Sequence, residues 1–452
     1  MASVVVNCTD GLGKMKIMHS VNNAPLGNIE RQAKNMSNYH YFREAGIPYC
    51  RNHDSSFCAG YDGEYIVDVH RIFRDFDADV NDPAAYDFEY TDKNVAAVEA
   101  VGAHTFYRLG SRIEHQKVVG TVPPKDYTKW AQICEHIIMH YTEGWADGFT
   151  YDMEYWEIWN EPENGRSCWD GTREEFYTFF VTAFAYLKKR FPHLKIGGPS
   201  MTASWHDDFN HALFDRLVEH GCVLDFYSFH GYTNNPRHNY YNAQHAYELL
   251  CEYGWQDHTE LILNEWNYVR GWLGDDYIYS IHVIKDNGGL KASSFIAGVM
   301  AAAHASPVDH LMYYCTQPSE WNCMFDTVFL TPMKGYYPFK MFGELYRMGE
   351  NISSASDDDT VYAIAAKGED TCGLMLTYFD DHDNAEAKDI SVTLQNLTGN
   401  AMKTVEYYIL DKNNDMTLWR TDRTTAEEIT TILPSELYTT WYIKVTGITA
   451  QN

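Results

Sequence analysis

The stretch Glu154-Tyr155-Trp156-Glu157-Ile158-Trp159-Asn160-Glu161 is a short apolar and aromatic run that stops at Pro162. A run of this length and composition reads as a buried strand. Proline cannot continue a hydrogen-bonded ladder, so the strand ends at Glu161 or just before it. An amide, Asn160, and a carboxylate, Glu161, therefore stand at the rim of a sheet, where loops build active sites. The plainer alternative is a buried glutamate paired with a basic residue.

A second run, Glu260-Leu261-Ile262-Leu263-Asn264-Glu265-Trp266, also ends in a carboxylate, Glu265. Two strand-end glutamates are what glycoside hydrolysis needs: one protonates the leaving oxygen, the other attacks the anomeric carbon or activates water. Working outward from these two runs, strand signals recur over 14–21, 47–54, 103–109, 154–161, 195–200, 223–230, 260–266 and 310–315, with helical patterns between them. The clearest helix covers 125–141, with Trp130, Ile133, Cys134, Ile137, Ile138 and Tyr141 on one face. Another opens on the capping box Thr172-Arg173-Glu174-Glu175. A helix-like segment is predicted over 28–45, and Asp208 is the expected cap of a helix running to His220.

Eight apolar strands alternating with helices imply a parallel sheet covered on its outer side. A doubly wound sheet usually carries a glycine-rich phosphate loop, and neither GxGxxG nor GxxxxGK occurs. The expected fold is thus a (β/α)8 TIM barrel over residues 13–350, with Glu161 on strand four and Glu265 on strand seven sharing its C-terminal face. After residue 350 the pattern changes to short strands, at 361–365, 373–379, 390–394, 405–410 and 441–445, separated by turn residues. Residues 351–452 therefore read as a C-terminal all-β sandwich, to which a strand in residues 1–12 can be added.

The formal net charge of −28 argues against nucleic acid or anionic membrane as partners. No apolar run approaches the ~20 residues of a membrane span. The ten cysteines form no CxxC pair and no dense framework, and read as buried thiols of a reducing compartment. The N-terminal MASVVVNCTDG lacks the features of a signal peptide. A cytoplasmic protein is expected, although a removed signal peptide would change that. The expected partner is a small oligosaccharide or glycoside, with an oligomer left open.

The Trp-Asn-Glu-Pro motif after a strand, followed about a hundred residues later by a second strand-end glutamate, resembles the clan A glycoside hydrolases. Within them the chain is most similar to glycoside hydrolase family 39, best known for β-xylosidases and α-L-iduronidase. Pro123-Pro124-Lys125-Asp126-Tyr127, Gly197-Gly198-Pro199, Phe229-His230-Gly231-Tyr232 and the segment 334–342 carry the same likeness, which runs from about His53 to about Glu350. The resemblance implies a retaining mechanism, with carboxyls ~5–5.5 Å apart. Glu161 is then the candidate acid/base, its pKa expected to be lifted toward roughly 6–7. Glu265 is the candidate nucleophile.

Asn160 resembles the clan A asparagine that holds the sugar 2-hydroxyl; its alternative is a loop-capping amide. His230 and Tyr232 match the family's strand-six pair and are expected under Glu265. His53 is a candidate to bind a glycone hydroxyl. Arg51 either orients a carboxylate or is a structural ion pair. Trp266 and Trp321 are candidate sugar platforms, Trp266 equally a core residue, while Arg270 and Trp272 fall at the mouth. His136 and His140 have i,i+4 spacing, but the glutamate of HExxH is absent and their neighbours mark a packed helix, so neither a metal nor another cofactor is expected.

The implied activity is that of a retaining exo-glycosidase on short plant-type oligosaccharides, with a β-xyloside the leading substrate. The segment from Tyr314 to Trp321 departs from the xylosidase pattern, which keeps α-L-arabinosidase or β-galactosidase activity as alternatives. From another class, a non-catalytic carbohydrate-binding protein would need neither glutamate.

Overall fold

The computed structural model describes residues 1–27, 29–31, 34–55, 65–399 and 401–448. Eight parallel strands close into a barrel: Ile17–Asn22, Tyr49–Arg51, His104–Leu109, Tyr155–Ile158, Lys195–Met201, Phe226–Thr233, Glu260–Tyr268 and His310–Tyr313. The eighth closes on the first, with Met312 opposite Ser20 and Tyr313 opposite Val21. Each lies within a run predicted from composition or overlaps it. Alternate residues of a strand face opposite sides. The inward set Tyr49, Phe106, Tyr155, Phe226, Ile262 and Met312 therefore packs as an apolar plug in the lower barrel. Residues two positions further along the same strands, among them Arg51, Arg108, Glu157, Ser228 and Asn264, form the polar layer above it.

The outer helices follow the predicted chemistry at most ends. Tyr127–Thr142 starts on Asp126, whose side chain accepts from the Lys129 N–H, and it buries the six residues of the predicted apolar face. Arg173–Arg190 carries the reciprocal capping box of Thr172 and Glu175. Two expectations fail. Asp208 is not a cap: the helix is Asp207–Glu219, preceded by His206, and both aspartates lie in its first turn, where a negative charge suits the helix dipole. The segment 28–45 is helical only from Tyr39 to Ala45. Upstream, Ile29–Arg31 pairs antiparallel with Lys34–Met36. Asn38 explains the late start, because its side chain accepts from the Leu26 N–H at 2.7 Å and turns the chain there.

The last barrel helix is Tyr336–Met348, and the chain passes directly into strand Glu350–Ser356. That strand belongs to one nine-stranded sheet with Val361–Lys367, Thr371–Tyr378, Lys388–Gln395, Lys403–Leu410, Thr417–Thr424, Ile429–Ser435, Thr440–Thr446 and the N-terminal Ala2–Lys14. Ala2–Lys14 runs antiparallel to Glu350–Ser356 and parallel to Lys388–Gln395. The sheet folds over on itself: Arg420 on one edge strand donates to Thr431 on the other at 2.6 Å. Between the folded halves lies a separate core that includes Val4, Leu374, Val392, Val405, Leu433 and Trp441. The strands that sequence reading missed include Thr417–Thr424, which is too polar and exposed to show an apolar alternation.

Barrel and sheet also share a core, in which Phe295 meets Phe379 and Ser294 bonds Thr377 at 2.7 Å. At its edge Lys291, only 8% exposed, lies 3.0 Å from Asp381 and 2.8 Å from Asp383. Asp381 also accepts from Asn234 and Arg270, at the ends of strands six and seven. Lys291→Met leaves both aspartates without their buried cation. Because Asp383 is half exposed and screened, the expected cost is about 1–3 kcal/mol, read as a lower urea midpoint. An unchanged midpoint would assign the interface strength to its apolar side alone.

Candidate active site

The C-terminal ends of the barrel strands gather the strand-end polar residues into one mouth. Register shifts make this possible on two of them. The pairing of strand seven slips between Leu263 and Glu265, and that of strand five between Pro199 and Met201. A bulge of this kind breaks strict alternation. Asn264 and Glu265, adjacent in sequence, can therefore both reach interior groups. Close backbone approach helps: a Cβ on Gly198 would lie 2.6 Å from the Ile158 carbonyl, and its φ of +133° is one that side chains rarely adopt.

Arg51, fully buried at the end of strand two, joins the parts. Its guanidinium meets the Glu157 Oε2 through Nε and Nη2, both at 2.7 Å. Nη1 donates to Glu265 at 2.6 Å and to Asn22 at 3.2 Å, and Nη2 donates to the Asn160 Oδ1 at 2.7 Å and to Ser200 at 3.0 Å. Glu157 is in turn held through Oε1 by Ser228 and Asn264, each at 2.6 Å. Burial alone would depress the arginine's proton affinity, but Glu157 and Glu265 raise it, so the charge is secure. Of the two roles read for Arg51, carboxylate contact is the geometry observed. Glu157, Ser200, Ser228 and Asn264 were missed. The available signal was parity: Glu157 stands two residues beyond the inward Tyr155.

Glu161 lies beyond the strand proper with a positive φ of 48°, fixed by its N–H donating to the Ser200 carbonyl at 2.9 Å. Its Oε1 is 2.8 Å from the His230 Nδ1, and its Oε2 accepts from Asn164 at 2.8 Å. Burial pushes the Glu161 carboxyl up, but the hydrogen bond and charge of His230, then Asn164 and Arg51, outweigh it and hold the carboxyl below its usual range. His230 moves the other way: burial lowers it, while Glu265 and Glu161 raise it above the ordinary histidine value. The expected lift of Glu161 is therefore corrected. The proton of this pair rests toward His230, because the imidazole stands between two carboxylates.

Glu265 accepts from the Tyr232 hydroxyl at 2.8 Å as well as from Arg51. Burial and Glu265 itself keep the phenol proton on Tyr232. Tyr232 thus falls where the strand-six motif was expected to place it. His230 does not: its Nε2 is 3.6 Å from Glu265, and its short bonds go to Glu161 and, at 2.7 Å, to Ser200.

His53 is buried and held far below its ordinary pKa by burial and by Arg51 and Arg108. Its Nδ1 accepts from Arg108 at 3.1 Å, so in the neutral ring Nε2 carries the hydrogen. Asn160 offers its oxygen to Arg51 and Ser200, while its buried NH2 has no partner among the described residues. Trp321 lies half-buried against Tyr232, Trp272 and Tyr314, with ring centroids 5.9, 5.9 and 6.2 Å apart, and Trp272 is exposed at the rim. Arg270 is turned aside to Asp381.

Trp266 is not at the mouth. It is wholly buried, edge-on to Tyr313 and beside Phe295, in the layer between barrel and helices. The residue after an inward Glu265 points outward, so it is core and the platform reading is withdrawn. His136 and His140 bond the carbonyls of Gln132 and Trp145, and His140 also meets Asp92. Glu161, His230 and Glu265 each bring one ligand-type atom within 4.8 Å of the others. A cation does not suit that set: Arg51 already sits 2.6 Å from Glu265, and His230 is engaged by Glu161 and Ser200.

The geometry can be compared with known proteins. Residues 35–252 match the family model of Glycosyl hydrolases family 39. A beta-xylosidase of Geobacillus stearothermophilus is 28% identical over 195 residues, 40% of this chain and 37% of the relative. One from Caldicellulosiruptor saccharolyticus is 31% identical over 113 residues, 25% of this chain and 22% of the relative. The aligned stretches thus span little more than a third of these relatives' length at most. Among solved structures, a glucosidase from Croceicoccus marinus superposes with a TM-score of 0.81 at 19% identity, covering 99% of this chain and 100% of that one. A monomeric beta-xylosidase from Caulobacter crescentus gives 0.68 at 14%, with the same coverage. At such identities the structures speak for the fold. The match to the Glycosyl hydrolases family 39 model runs through strands two to six of the barrel, where the Trp-Asn-Glu-Pro motif and the His230–Tyr232 pair stand.

Proposed function

We propose that the protein is a retaining exo-glycosidase acting on short plant-type oligosaccharides, with a β-xyloside as its substrate. The observation that carries the proposal is the pair of carboxylates from strand ends four and seven, whose nearer oxygens lie within 4.8 Å of each other. Retaining hydrolysis needs carboxyls about 5–5.5 Å apart, while inversion needs ~6.5–9.5 Å to admit a water. The beta-xylosidase relatives support the sugar.

In this reading Glu265 attacks the anomeric carbon as the glycosidic bond breaks, and Glu161 gives its proton to the leaving oxygen. Arg51 and Tyr232 hold Glu265 in place, each on a different oxygen. The proton that Glu161 donates reaches it from His230 across their 2.8 Å contact. Water then attacks the glycosyl-enzyme, Glu161 takes its proton, and Glu265 leaves. The unpartnered Asn160 NH2 is available to the 2-hydroxyl, a contact that strengthens in the transition state.

Glu161→Ala is expected to slow hydrolysis of glycosides with poor leaving groups by roughly 10²–10⁴-fold, and activated aryl glycosides far less. Azide should restore turnover by trapping the glycosyl-enzyme. Equal losses on good and poor leaving groups would remove Glu161 from the acid/base role.

The pH profile carries a second test. Activity needs one proton on the Glu161–His230 pair, and that proton leaves as pH rises through the raised His230 value. The basic limb of kcat/KM is therefore expected above ~6.5, with activity retained below it. In His230→Asn the proton can rest only on Glu161, and the limb should move to lower pH. A limb that stays in place would belong to another group.

A further inference from the structure

Asp54 follows His53 at the same strand end and takes no part in the mechanism above. Its side chain is 18% exposed, in a mouth where Arg51 and His230 are fully enclosed. The Tyr314 hydroxyl donates to its Oδ2. Its Oδ1 lies 3.5 Å from the His53 Nε2 and accepts no hydrogen bond among the described residues. The same Nε2 is 3.9 Å from Glu265. One imidazole N–H thus stands between two carboxylates, too far from either for a good hydrogen bond. A free donor and a free acceptor lie side by side, next to the carboxylate that would attack the sugar. Neighbouring ring hydroxyls of a pyranose present the complementary pattern.

Resting on the glycosidase reading above, we infer that Asp54 is a specificity-determining residue that accepts a hydrogen bond from a glycone hydroxyl, beside the donor His53. Burial and the Glu265 charge raise its carboxyl to about 6, so at neutral pH it is an anionic acceptor and a strong one. The same charge disfavours a glycone that itself carries a carboxylate. Tyr314, just beyond strand eight, fixes Asp54 through Oδ2 and leaves Oδ1 unengaged among the described residues.

The test uses the full chain and the aryl glycoside that it hydrolyses best, together with monodeoxy analogues of that sugar and the corresponding uronide. Asp54→Asn should lower kcat/KM on the parent glycoside by roughly 10- to 100-fold. On one deoxy analogue the unaltered protein should fall by a similar factor, and the variant should lose little more, because the same contact is already gone. The preference for the neutral sugar over its uronide should narrow. Tyr314→Phe, which keeps Asp54, should retain the discrimination against that analogue, and it carries the test if Asp54→Asn fails to fold. Equal losses for the variant on every analogue would mean that Asp54 only anchors Tyr314 and would overturn the inference. Undiminished kcat/KM in Asp54→Asn would also overturn it while leaving the glycosidase reading intact. An unaltered protein that hydrolyses no aryl glycoside would defeat both.

Discussion

One buried guanidinium organises this barrel. Arg51 is cut off from water, and an isolated ion there would be prohibitively costly. It is tolerable because Glu157 and Glu265 neutralise it and Asn22, Asn160 and Ser200 satisfy its remaining donors. Those partners come from strands one, four, five and seven or from their ends. The electrostatic requirement of a single side chain thus fixes the mutual position of strand ends far apart in sequence. Glu157 supplies a second negative charge below the mouth and spares Glu265 from being the arginine's only counter-ion. Glu265 can then keep one oxygen for Tyr232.

The backbone around this charge is unusual in a consistent way. Trp159, Glu161 and Ser200 all have positive φ, at 79°, 48° and 62°. Residues other than glycine hold that conformation only where their surroundings insist on it. Here Trp159 is clamped by its N–H on the Leu109 carbonyl and its indole on the Cys168 carbonyl. Glu161 and Ser200 are tied by the bond from one backbone to the other. The outcome is that Asn160 and Glu161, neighbours in sequence, both serve the mouth, one contacting Arg51 and the other His230.

The chain displayed its barrel openly, because eight buried parallel strands must be apolar runs and the intervening helices must carry one apolar face. The two glutamates were legible for the same reason: each terminates such a run. Their environment was less so. Trp266 looked like a sugar platform because it adjoins Glu265, yet strand parity turns it into the core. His230 was expected beneath Glu265, yet its short bonds go to Glu161 and Ser200. Glu157 and Asn264 were overlooked because nothing in a lone strand reveals which groups of the other strands its inward polar residues meet: Arg51 for Glu157, and Glu157 and Ser200 for Asn264. The proton balance of Glu161 follows from that His230 contact, so it too lay beyond the reach of sequence.

The β-sheet unit bears on the same strands from outside. Asp381, in a turn that sequence alone identified only as a turn, accepts from Asn234 and Arg270 and binds Lys291. Asn234 follows strand six, which carries His230 and Tyr232; Arg270 follows strand seven, which carries Glu265. The paired ends of these strands run as far as Thr233 opposite Tyr268, and the Tyr268 hydroxyl also donates to Asp381. Arg51 therefore fixes the strand ends from within the barrel, and Asp381 fixes two of them from outside it. In the proposed reaction, a carboxylate aimed at a sugar carbon must keep its position to within about half an ångström. Anchorage on both sides meets that need better than the barrel's hydrogen-bond ladder alone, because the ladder is interrupted by the register shift that turns Glu265 inward.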